Sequence, residues 1–139
     1  MIFPHKFWGK ALSPPAHSGF LVSYAAEPFL SNILSHSAPS AYPANRAFGY
    51  SPFEMLFLWD NPADDAFFYG AIRQSTNRIR DVALREGQDV GNAAKYPNYA
   101  IFDTPLEEIY GVNLNRLRKL KNRVDPGGVM GLAGGFKFK

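Results

Sequence analysis

The chain has 139 residues, 46% of them hydrophobic and 19% charged, with a formal net charge of +3 and no cysteine. One domain is the length expectation, with roughly two-thirds of the unfolded surface buried. The composition excludes a disordered tail, a collagen-like polymer, a disulfide scaffold and a thiolate metal site. Aromatic residues reach 15%, more than a core of this size needs, so some rings are expected to face a ligand or a partner.

Residues 1–19 combine Pro4, Pro14, Pro15, Gly9 and Gly19 and read as an irregular arm, since prolines at that density prevent a long helix or a central strand. The opening lacks the basic start, continuous apolar stretch and small-residue cleavage site of a signal peptide. No run of about 18 apolar residues exists, so no membrane span is expected. Phe20-Leu21-Val22-Ser23-Tyr24 predicts a short buried strand. Pro28 suits the first turn of a helix carrying Phe29, Ile33 and Leu34 on one stripe and ending near His36. Residues 37–52 have the composition of a long loop.

Phe53 to Trp59 is nearly continuous in apolar residues and predicts a central strand covered on both faces, with one acid, Glu54, inside it. Burying that carboxylate bare costs several kcal/mol, so it is either paired in a functional cavity or exposed at the strand end. Asn61 and Pro62 start a helix whose stripe of Phe68, Ile72, Thr76, Ile79 and Ala83 runs to Gly87. Asp64 and Asp65 sit near its positive end, where the helix dipole accounts for them. Asn98 to Phe102 predicts another short strand, at an edge because Pro97 donates no hydrogen bond. Thr104-Pro105-Leu106-Glu107 reads as a capping box, and the short helix it opens ends at Gly111. Asn113 caps a last helix with Leu114, Leu117, Leu120 and Val124 on its stripe, stopped by Asp125-Pro126 and followed by a glycine-rich extended tail. The elements together predict an α+β fold, a small mostly antiparallel sheet with helices packed on one face. Three strands leave edges that further strands would complete.

The three histidines, His5, His17 and His36, lack metal-ligand spacing and read as scattered surface residues; no metal site is expected. Arg116, Arg118, Lys119, Lys121 and Arg123 make the last helix basic, which a solvated face at a helix carboxyl terminus explains, so no nucleic-acid partner is expected. A nucleic-acid footprint there would instead give salt-sensitive binding. Tyr96-Pro97-Asn98-Tyr99 is the most distinctive segment. An Asn side chain offers one donor and one acceptor edge, which suits a uracil-like ring such as the flavin pyrimidine, and a phenol can serve as a general base if neighbours lower its pKa. The same three groups are equally readable as surface groups at a strand edge.

Tyr96-Pro97-Asn98-Tyr99-Ala100, then Tyr110-Gly111 with Asn113, Arg116 and Leu117, then Asp125-Pro126 and Gly134-Gly135-Phe136-Lys137, occur in that order over about 40 residues. This series resembles the carboxyl-terminal module of the berberine bridge enzyme family of FAD-linked oxidoreductases, particularly its fungal members. The Ser40-Ala41-Tyr42-Pro43 loop and the Trp59 to Asp65 helix start are also similar to it. The resemblance implies a two-lobed flavoprotein of the vanillyl-alcohol-oxidase type, with 1–19 as the arm, 20–95 as part of the substrate lobe and 96–139 as the closing segment. It implies FAD as cofactor and a small organic substrate. Tyr96 and Asn98 would contact the flavin region, Tyr99 would be the catalytic base, and Glu54 lies on the strand type that carries acids in parts of the family. Members attach FAD through a His, and often also a Cys, of an amino-terminal lobe that these 139 residues do not contain. The expectation is therefore an incomplete substrate lobe, a truncated product or partial gene model, that is a poor flavoenzyme alone and pairs with a complementing FAD lobe. A non-catalytic relict that binds another chain through exposed aromatic surface is the alternative. Members of the family are often secreted, but nothing in this chain assigns a compartment.

Overall fold

The computed structural model describes residues 11–47 and 49–138. They form two compact units, one drawn from the described residues of Met1–Pro28 and Ser51–Asn92, the other from Phe29–Tyr50 and Ala93–Lys139. The fold is α+β, built on a two-stranded antiparallel sheet.

In the first unit, strand β1 (Gly19–Ala26) pairs with β2 (Phe53–Trp59), placing Val22 opposite Phe57, Tyr24 opposite Met55, Leu21 opposite Leu58, Ser23 opposite Leu56 and Ala25 opposite Glu54. Side chains alternate across a strand, so the sheet has two unlike faces. Val22, Tyr24, Met55, Phe57 and Trp59 share the face that packs with the core residues Leu12, Phe68 and Ala71. Leu21, Ser23, Ala25, Glu54, Leu56 and Leu58 share the other, where the three leucines are exposed. Both strands are found where their apolar runs predict them. β2 is not the central strand expected, because among the described residues the sheet ends at two strands and only Phe57 of β2 is fully buried.

Helix α1 (Asp65–Arg85) follows a 3-10 turn at Pro62–Asp64. The Asn61 amide oxygen accepts from Ala63 N at 3.1 Å, and Pro62, which has no N–H to satisfy, takes the first helical position. At the other end Gly87 adopts φ 79°, and two backbone bonds, Gly87 N to Leu84 O and Gln88 N to Ala83 O, both 3.0 Å, close the helix as a Schellman motif. The buried side is offset from the predicted stripe: Ile72, Thr76, Ile79 and Ala83 are half-buried, while Ala71 and Ser75 are buried beside Phe68. These two small residues carry no strong apolar signal, yet they let the helix approach the strands; Ser75 Oγ lies 3.2 Å from Tyr24 OH, whose phenol is pushed up by burial.

Phe68 is 0% exposed and lies 4.6 Å from Trp59, ring to ring, with the planes 3° apart. Trp59 Nε1 donates to the Asp65 carboxylate at 2.7 Å, which fixes the indole over the helix start. Gly19 is the residue that admits this packing. A Cβ there would stand 2.6 Å from Leu12 O and 2.7 Å from Phe68 Cζ. Leu12, at 1% exposed, belongs to the stretch expected to be an irregular arm, so that arm contributes to the core over its described part. Its remainder, residues 1–10, lies outside the described residues.

The arm is fastened at His17 and Ser18. Asp64 accepts from His17 Nδ1 at 2.8 Å, from Ser18 Oγ at 2.7 Å and from Ser18 N at 2.9 Å, while Asn61 N donates to Ser18 Oγ at 3.1 Å. The His17 ring stacks on Phe67 at 3.6 Å. His17 is therefore a structural anchor rather than a loose surface group, and Asp64 does more than complement the helix dipole. The bond from His17, followed by the two from Ser18, holds the Asp64 carboxyl down at about 2.

In the second unit the helix expected from Pro28 is reduced to a 3-10 turn, Ile33–His36. Ser35 Oγ bonds Asn32 O at 2.7 Å, so a side chain competes for the backbone. Phe29, Leu30 and Ile33 are exposed, which leaves a short helix without the packing that would stabilise it. The following loop is held instead by Arg46, whose guanidinium donates to the carbonyls of Ser37, Ala38 and Ala44. Helix α2 (Leu106–Tyr110) runs through a 3-10 turn at Gly111–Asn113 into helix α3 (Leu114–Val124). Ile109 of α2 and Leu114 of α3 are buried, but the predicted stripe fades, with Leu120 and Val124 exposed.

Three further expectations are corrected in this unit. The 98–102 strand is absent: Tyr99 N and Ala100 N both donate to Tyr96 O at 3.0 Å, and Pro97, with its fixed φ at the second position, turns the chain. The capping box is not formed, because Pro105 stands at the cap of α2 and the Glu107 carboxylate lies 3.5 Å from Arg118 Nη2. The tail is not simply extended. Val129–Leu132 makes a 3-10 turn whose amides at Val129 and Met130 bond the Asp125 carboxylate, and Phe138 packs 5.1 Å from the ring of Tyr110.

Two outcomes follow from the first unit. Phe68→Ala should lower unfolding free energy in urea by about 3–5 kcal/mol, the range for emptying a fully enclosed aromatic site. Asp64 has its pKa lowered below the ordinary 3.8, so its contribution is complete above about pH 4 and disappears as pH falls toward 2. Thermal melts followed by circular dichroism should show Asp64→Ala melting below the wild type at pH 7, with the gap closing between pH 4 and pH 2.

Candidate functional site

The Tyr96-Pro97-Asn98-Tyr99 turn is pinned where the chain enters it. Tyr42 OH donates to Ala94 O at 3.0 Å, and Lys95 N donates to Glu108 O at 2.8 Å, with the Lys95 ammonium 2.5 Å from the Glu108 carboxylate. From there the turn brings its three polar side chains together. Asn98 Nδ2 donates to Tyr96 OH at 2.9 Å, and the rings of Tyr96 and Tyr99 meet edge to face at 5.2 Å. Tyr42 adds a third ring, 5.9 Å from Tyr96 at an interplanar angle of 67°. Edge-to-face pairs align the positive rim of one ring with the negative face of the next, so the cluster is favourable in itself. Burial, then the neighbouring phenols Tyr96 and Tyr50, push the Tyr42 phenol above its ordinary value, which keeps it protonated as a donor.

Asn98, Tyr96 and Tyr99 are exposed. The Asn98 amide spends one N–H on Tyr96, leaving its oxygen and second N–H as an acceptor and a donor. The bond to Tyr96 restrains that side chain.

Glu54 lies in the first unit, second residue of β2, on the sheet face opposite the helix and beside Leu56 and Leu58 along that face. It is half-buried, the middle ground between the cavity carboxylate and the exposed strand end that the sequence left open. Sequence reasoning missed Tyr42, which lies 52 residues from Ala94 along the chain and follows no periodic pattern. It also missed the His17, Ser18 and Asp64 cluster. There Ser18 donates to the acid rather than to the histidine, so the three form an anchor and not a nucleophilic relay. Among the described residues no group of three or more His, Cys, Asp or Glu could hold a metal ion, and no helix is long and apolar enough to cross a membrane.

Residues 95–132, which contain the turn and helices α2 and α3, match the family model described as berberine and berberine like. The chain carries a berberine-like segment. It is also 33% identical over 116 residues, 83% of its length, to FAD-linked oxidoreductase OXR1 of Pyricularia oryzae. With FAD-linked oxidoreductase OXR2 of the same fungus it shares 34% identity over 96 residues, 63% of its length. The matched spans are 22% and 18% of those two proteins, so the chain spans about a fifth of the length of the curated relatives it matches. No solved structure matches it significantly.

Within the berberine-like segment, Asn113 stands at the start of α3, where it was expected to cap the helix. Its side chain instead donates to Ala41 O at 3.0 Å and Ser40 O at 3.3 Å. Two otherwise unpaired loop carbonyls are thereby satisfied. Asn113→Ala should lower stability by about 1–2 kcal/mol and accelerate amide exchange around residues 40–42, measured by hydrogen–deuterium exchange, with little change in the centre of α1.

Proposed function

We propose that this chain is the carboxyl-terminal part of an FAD-dependent oxidoreductase and supplies one edge of its flavin and substrate site. The observation that carries this reading is the match of residues 95–132 to the berberine-like family, over the turn that groups Tyr96, Asn98 and Tyr99. The exposed donor and acceptor of Asn98 fit the imide-like edge of an isoalloxazine ring, and the phenol of Tyr96 orients that amide. When bound, FAD supplies a two-electron acceptor for hydride removal from a small organic substrate, with O2 as the final acceptor in the complete enzyme.

In this reading Tyr99, in its phenolate form, takes the substrate proton at its phenolic oxygen, and the carboxylate of Glu54, on the open sheet face, is the second candidate to do so. Asn98 and Tyr96 bind and orient; they do not exchange protons with substrate. A ring edge alone contributes little of the contact surface that a dinucleotide cofactor needs, so the chain by itself binds FAD weakly and pairs with a complementing FAD lobe. The exposed leucines of the open face and Phe20 support a second reading, an interaction module that docks another chain without catalysis.

Purified chain mixed with FAD should remain colourless after gel filtration. Co-expression with the part of OXR1 that lies outside the matched span should give a yellow complex that substrate bleaches. Asn98→Ala should weaken flavin retention in that complex by about tenfold, the upper end for one hydrogen bond. Equal retention by wild type and Asn98→Ala would remove the flavin-edge role, and a colourless complex would favour the interaction module.

A further inference from the structure

The carbonyl of Ala94 and the ring of Tyr96 lie two residues apart, on either side of Lys95, and one side chain from a distant loop touches both. Tyr42 reaches Ala94 O with its hydroxyl at 3.0 Å and the ring of Tyr96 at a centroid distance of 5.9 Å. Tyr42 is half-buried, while the residues it contacts lead directly into an exposed turn. Its own loop is anchored independently, since Asn113 Nδ2 holds the carbonyls of Ser40 and Ala41 just before it.

We propose that Tyr42 is a positioning residue for the Tyr96 and Asn98 pair: its hydroxyl fixes the backbone entering the turn, its ring fixes the Tyr96 ring, and the placed Tyr96 hydroxyl holds the Asn98 side chain. This role deepens the flavin-edge reading and rests on it for its functional meaning, though the geometry can be tested without any flavin. Asn and Gln amides turn readily about their last bond, so an exposed Asn presents a defined donor and acceptor only when something holds it. The one bond to Tyr96 does this, and it is only as well placed as the Tyr96 ring. Tyr96 is itself exposed, so the packing that restrains it comes from the Tyr42 and Tyr99 rings. The Tyr42 phenol stays protonated through neutral pH, as a donor to a carbonyl must.

The test is hydrogen exchange of the Asn98 side-chain amide, read by NMR on the full 15N-labelled chain without flavin. Tyr96→Phe, which deletes the hydroxyl that accepts from Asn98, sets the rate for an unheld amide. Tyr42→Phe keeps the ring and loses the bond to Ala94 O, and exchange should become several-fold faster than in the wild type. Tyr42→Leu loses both contacts and should reach the Tyr96→Phe rate. Backbone amide dispersion of α3 reports the fold in each variant, and a general loss of structure would move it, whereas a positioning role moves the Asn98 signal alone. If Tyr42→Leu does not fold, Tyr42→Phe decides. Exchange of Asn98 at the wild-type rate in Tyr42→Phe overturns the proposal, as does a folded Tyr42→Leu that exchanges no faster than Tyr42→Phe. Because flavin retention by Asn98→Ala is measured separately, a failure there sinks the cofactor reading and leaves this one standing, and the converse also holds.

Discussion

The stacking of Phe68 on Trp59 is the contact around which the first unit is arranged. Two strands and one helix can enclose very little, and here they enclose one benzyl group completely. Each neighbour follows from that enclosure. Gly19 must lack a side chain for the strand to approach, Leu12 must return from the arm to close the open end, and Asp65 must hold the indole so that its face meets the phenyl ring. The short connection through Asn61 and Pro62 sets the helix directly after the strand, which is what brings residues 59 and 68 into register.

The second unit is organised differently. Its buried apolar residues are few, and polar contacts between distant backbone segments carry much of the order. Arg46 gathers three loop carbonyls, Asn113 gathers two more, Asp125 collects the amides that follow α3, and Tyr42 takes the carbonyl of Ala94. In a loop-rich region these bonds satisfy backbone groups that no helix or sheet would satisfy. They also place side chains with a directionality that apolar packing lacks.

What the sequence revealed and what it concealed divide along that line. β1, β2 and α1 were legible because an apolar run or a fourfold stripe was bounded by Gly19, Asn61, Pro62 and Gly87, each with a single strong local preference. The 98–102 segment was misread because Tyr, Ile and Phe favour strands, and the turn geometry of Pro97 outweighed them. Tyr96, Asn98 and Tyr99 could be grouped from sequence because three residues within one four-residue segment cannot lie far apart. Tyr42 could not be placed near them, since a hydroxyl-to-carbonyl bond across 52 residues leaves no trace in periodicity. Asn113 shows a subtler case: the residue type at a helix start was read correctly, and its side chain serves another segment.

That choice by Asn113 ties two events that would otherwise be independent. A helix whose first residue is braced by its own cap can fray and reform without consulting its surroundings. Here, unwinding the first turn of α3 releases Ser40 and Ala41, and with them the segment from which Tyr42 extends. The order of that loop is therefore borrowed from the start of α3, through the two hydrogen bonds of one amide.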